Sequence, residues 1–123
     1  MAKKLLASGI ILTVVLVLFA QDKTAVKISG YLIDNACAGA HVNDANFGDR
    51  VKKHTTSCAL MPNCEGSGYA VYSEGKLYKL DKEGNKNAAD LLKNTDTKNG
   101  VQVTVEGTVD GDMITVSKLA EVK

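Results

Sequence analysis

Apolar and polar residues alternate with a period of two in several short stretches of this chain, and each such stretch predicts a half-buried strand. The first runs from Val26 to Asp34, with Val26, Ile28, Gly30 and Leu32 on one face and Tyr31 and Ile33 on the other. Gly30 in its middle predicts a bulge or sharp bend. Residues 35–67 break the pattern and form a long polar insertion. Within it a helix is expected from about Gly48 to Leu60, with Pro62 limiting its extension. Gly68 to Ser73 and Lys76 to Asp81 flank the turn Glu74-Gly75 and predict a hairpin. Lys86 to Lys93 predicts a short helix with Ala88, Ala89, Leu91 and Leu92 on its apolar side and Asn85 or Asn87 as its cap. Val101 to Val109 alternates cleanly, Asp110-Gly111 is a strong hairpin turn, and the last strand runs from Asp112 to about Leu119 with Ile114 and Val116 inward.

A short helix between the third and fourth of five strands is the element order of an OB-type barrel, with the insertion as the loop between strands one and two. Closure removes exposed sheet edges, which suits a small β domain. The expected fold is therefore mainly β: a small five-stranded OB-like barrel with a long, partly helical insertion. In such barrels the first loop and the loop between strands four and five flank the usual binding face. An open meander or sandwich-like sheet with one helix is the alternative.

The N-terminal stretch has a different pattern. Lys3 and Lys4 precede an uncharged apolar run from Leu5 to Phe19, and Ala20 leads into Gln21-Asp22-Lys23. A positive start, an apolar middle and a small residue before polar sequence predict a Sec signal peptide over residues 1–20, cleaved near Ala20. The run falls short of the ~18–20 apolar residues of a spanning helix, so a retained membrane anchor is the lesser alternative. Residues 21–25 then read as a linker, and 26–123 as one domain, secreted or periplasmic.

Removing the leader changes the charge. The whole chain carries 15 basic and 14 acidic residues. Residues 21–123 retain all the acids but lose Lys3 and Lys4, so the net charge moves from slightly positive to slightly negative. Such a balance leaves no electrostatic footprint for nucleic acid or an anionic membrane. The expected partners are a small ligand or a cell-envelope protein. About a hundred residues allow one modest core, which benefits from a staple.

Three segments, GYLIDNACAGAH, HTTSCALMPNCEGSGYAVYSEGKLYKLDKEGN and VTVEGTVDGDMITV, resemble a group of small secreted bacterial proteins of unknown function. Its marks are a glycine-aromatic first strand leading into a cysteine, a Cys/His-bearing first loop, and a closing G-T-x-x-G-D-x-I-x-V hairpin. The resemblance covers most of residues 28–119. It implies an OB-like fold and export, and no activity.

All three cysteines and both histidines fall between Cys37 and Cys64. In an oxidising compartment the first expectation is one disulfide and one remaining thiol, pairing Cys37 with Cys58 or Cys64, or Cys58 with Cys64. The second expectation is a metal. On a single helix, spacings of four and three would put His54, Cys58 and Met61 on one face. With Cys37, His41 and Cys64 these make a soft ligand set suited to copper and, without the thioether, to zinc.

Sharper chemistries find less support. There is no Cys-x-x-Cys, no haem-attachment motif and no zinc-finger spacing. A Cys–His pair from His54 and Cys58 or His41 and Cys37 lacks a recognisable third group, so no catalytic residue is assigned. Asp34, Asp44, Asp49, Glu65, Asp110 and Asp112 read as scattered acids or turn chemistry. Tyr69, Tyr72 and Tyr78 read as barrel packing or cross-strand pairs. The functional expectation is a non-enzymatic, disulfide-stabilised binding module. The alternative is a soft-metal-binding or redox protein using the first-loop cluster.

Overall fold

The computed structural model describes residues 24–123. The expected signal peptide, residues 1–20, and the first part of the expected linker lie outside the described residues. Thr24 and Ala25, assigned to the linker from sequence, already belong to the first strand, β1 (Thr24–Asp34). The chain continues through α1 (Asn35–His41), α2 (Phe47–Lys52), α3 (Thr56–Ala59) and α4 (Pro62–Gly66). Next come β2 (Tyr69–Ser73), β3 (Lys76–Leu80), α5 (Lys82–Asn94), β4 (Gln102–Asp110) and β5 (Met113–Glu121). No described helix is long and apolar enough to cross a membrane.

The five strands close into a barrel in the order β1-β2-β3-β5-β4, and β4 returns to β1. All neighbours are antiparallel except β3 and β5, which run parallel through Lys79–Met113 and Leu80–Ile114. This is the expected OB-like closure. The β4–β5 register shifts between Glu106 and Gly107, opposite which Ser117 is the extra, unpaired residue of β5. There the backbone of β5 comes so close that a side chain at Gly107 would overlap the Thr115 carbonyl. Gly30 serves a related purpose in β1, where the Tyr72 carbonyl occupies the place of a Cβ.

The period of two explains where the two cores sit. One face of β1 sends Ile28 and Leu32 into the barrel with Val71, Leu80, Val103, Val105 and Ile114. Helix α5 packs Ala88, Ala89 and Leu92 against the same cluster. The other face carries Tyr31 and Ile33, which pack with Ala38, Phe47, Val51 and Ala70 in a second cluster between the insertion and β1–β2. Phe47 also meets Tyr72 edge-on at 5.3 Å between ring centroids. The end of β1 is thus covered on both faces, and Leu32, Ile33 and Asp34 are all buried.

Two helix expectations change. The single helix from Gly48 to Leu60 is broken at Lys53–Thr55. Here the chain leaves α2 to join the segment before β4: Thr55 bridges to Asn99, Thr56 N–H donates to Lys98 O at 2.9 Å, and Gly100 N–H donates to His54 O at 2.9 Å. Thr55 then restarts the helix as the cap of α3, its Oγ1 accepting from Cys58 N–H at 3.1 Å. Helix α5 begins earlier than expected because Asp81, rather than Asn85 or Asn87, is its cap, accepting from Gly84 N–H at 3.0 Å. Asn85 instead accepts from Tyr69 N–H at 2.8 Å and joins α5 to β2.

Candidate functional site

The insertion folds back so that residues from four local elements meet at the end of β1. Asp34 is both the last residue of β1 and the cap of α1, and it is fully buried. Its Oδ2 accepts from Cys37 N–H at 2.9 Å, satisfying an orphan donor of the first helical turn. Its Oδ1 lies 2.7 Å from Nε2 of His54, in the connection between α2 and α3. Cys37 sits in α1, Cys58 in α3 and Cys64 in α4.

Short hydrogen bonds hold these elements in place. Ser67 accepts from Ala36 N–H at 3.0 Å and donates to Cys64 O at 2.6 Å, which pins the end of α4 to the start of α1. Asn35 Nδ2 donates to Ser67 O at 3.0 Å. The fully buried Tyr69 reaches from β2 and donates its hydroxyl to Ala59 O at 2.8 Å, anchoring α3 to the barrel. The thiol-bearing turns are therefore attached to the sheet.

Ligand atoms of Cys37, Cys58 and Cys64 all lie within 4.8 Å of one another, and Asp34, Cys37 and His54 form a second group at the same limit. Cys37 belongs to both. This Cys/His/Asp cluster could hold a metal ion. No pair of the cysteines is bonded: all three are free thiols, Cys64 buried and the other two partly exposed. No two of these sulfurs stand at disulfide bond distance.

Four of the six candidate ligands, Cys37, His54, Cys58 and Cys64, fall in these groups. His41 points elsewhere, its Nδ1 2.9 Å from Asp44 on the surface. Met61 is 55% exposed as the cap residue of α4. The helical-face argument for His54, Cys58 and Met61 fails because the three residues do not share a helix. His54 approaches the cysteines through the tertiary fold. The residue missed from sequence is Asp34, assigned there to turn chemistry. The only local signal was an acid closing an apolar strand three residues before a cysteine, at capping spacing.

The electrostatics set one buried carboxylate beside thiols that resist ionisation. Burial alone would raise the Asp34 carboxyl, but the hydrogen bonds from His54 and Cys37 N–H outweigh it and bring its pKa below the ordinary value. Cys37 is pushed up to about 12 by burial, the Asp34 charge and Cys58. Cys64 rises for the first two of these reasons. A thiol this reluctant to ionise is a poor nucleophile at neutral pH, which counts against Cys37 as a catalytic cysteine even though Asp34 and His54 stand beside it. A bound cation reverses the balance, because it stabilises each thiolate as it forms.

Comparison with known proteins finds no family model, no curated protein and no solved structure that matches the chain.

Proposed function

We propose that this protein is an extracytoplasmic, non-enzymatic module that binds one soft metal ion, zinc or cuprous copper, through the thiolates of Cys37, Cys58 and Cys64. The observation that carries the reading is the convergence of three sulfurs within 4.8 Å of one another from three separate helical turns. Thiolates are the donors that soft ions prefer. His54 and Asp34 flank Cys37 and keep that side of the cluster ordered through their 2.7 Å contact. Ordered partners of this kind position metal ligands. Three ionised thiols beside a carboxylate repel one another, and a cation is the economical compensation.

The test is a metal titration of fully reduced protein with Zn²⁺ and with Cu⁺ under competing chelator, alongside a thiol count. One equivalent is expected to bind with a Kd well below about 1 μM, with release of protons. Cys58→Ser is expected to weaken binding at least about tenfold. Reduced protein with no affinity tighter than about 1 μM for either ion would overturn the reading and leave the cysteines a structural role.

A further inference from the structure

Next to the thiol cluster is a cleft of about 390 Å³ lined by Cys58 and His54 together with Asn46, Arg50, Lys53 and Thr55. That volume is within the range of small-molecule sites. Cys58 belongs to both the cluster and the cleft lining. Three protein donors leave a tetrahedral soft ion one position short, which is the arrangement of an exchangeable rather than a closed site. The cleft also carries charge. Lys53 has no ion-pair partner among the described residues, while Arg50 is held at 3.6 Å by Asp44. Asp49 is the one acid in the lining, so the cations outnumber it.

We propose that this cleft seats a small anionic thiol, a molecule carrying both a sulfhydryl and a carboxylate, as the fourth donor to the bound ion. The inference rests on the metal-binding reading above. Sulfur matches the soft ion, and the carboxylate matches Lys53 at the rim. On coordination the ligand sulfur releases its proton to solvent and forms a bond to the metal, with no change of oxidation state. Such a ligand would both deliver the ion and carry it away.

The experiment uses Co²⁺ as a spectroscopic stand-in on the reduced protein, titrated separately with mercaptoacetate, 2-mercaptoethanol and acetate. Mercaptoacetate is expected to shift the cobalt absorption and to saturate at a concentration about fivefold lower than the neutral thiol, the margin one exposed ion pair supplies. Acetate is expected to leave the spectrum unchanged, and Lys53→Gln to erase the margin between the two thiols. A cobalt-loaded protein that responds equally to both thiols, responds to neither, or surrenders its cobalt without forming a shifted species would overturn this proposal while leaving the metal site standing. A protein that takes up no cobalt, zinc or copper overturns both.

Discussion

Asp34 and His54 are twenty residues apart and meet at 2.7 Å, the carboxylate fully buried and the imidazole nearly so. One oxygen of Asp34 starts α1 and the other holds His54, so a single side chain fixes two sides of the thiol cluster. Asp34→Ala removes a helix cap and a charge-assisted hydrogen bond together. A loss of about 2–4 kcal/mol is expected in chemical denaturation, with a parallel loss of metal affinity. Asp34→Asn, which keeps the size and can still cap, should recover part of the stability.

The same residue sets an acid dependence. Its pKa lies below the ordinary 3.8 in the folded protein, so its contribution is complete above that value and drains as the pH falls through the lower folded one. Unfolding midpoints measured from pH 6 down to pH 2 should fall at the acid end, and Asp34→Asn should show a flatter profile than the parent. Parallel profiles would mean that other carboxylates carry the acid sensitivity.

Thiol reactivity should follow burial and ionisation. Cys64 is 9% exposed and is expected to be alkylated last, on a timescale approaching that of unfolding. The rate at Cys37 should keep climbing with pH beyond the point where an unperturbed cysteine levels off, because its pKa is about 12. Peptide mapping after timed alkylation reads both, and one equivalent of zinc should protect all three.

Gly100 connects the barrel to the site. Its backbone is left-handed at φ +61°, the Lys52 carbonyl occupies the place of a Cβ, and its N–H donates to His54 O. Gly100→Ala is expected to cost about 1–3 kcal/mol and to weaken metal binding without touching a ligand. Normal affinity in a destabilised variant would show that the His54 connection tolerates displacement.

Tyr69→Phe deletes one hydroxyl and strands the Ala59 carbonyl that it caps. A loss of about 1–3 kcal/mol follows from leaving that group unsatisfied. Because Ala59 adjoins Cys58, zinc affinity measured on the folded variant should drop as well.

The strands could be read from the sequence because their signal is local. Val103 and Val105 alternate with polar neighbours, Asp110-Gly111 can hardly be anything but a turn, and the order of elements leaves few ways to close the sheet. The gathering of Cys37, His54, Cys58 and Cys64 in one segment was equally visible. Its geometry was not. A continuous helix would have aligned His54, Cys58 and Met61, but pairing with residues 98–100 breaks that helix, leaves Met61 exposed and carries His54 back to β1. The pairing spans more than forty residues and the His54–Asp34 contact twenty, with no periodicity to announce either. Asp34 is the clearest case. As an isolated letter it is an acid at a strand end, and only burial on all sides, with a helix start on one oxygen and His54 on the other, gives it a role. The sequence alone determined a small barrel and the set of residues that could carry chemistry. The tertiary structure decided which of them meet, because burial and long-range hydrogen bonding belong to the folded chain and to no stretch of it.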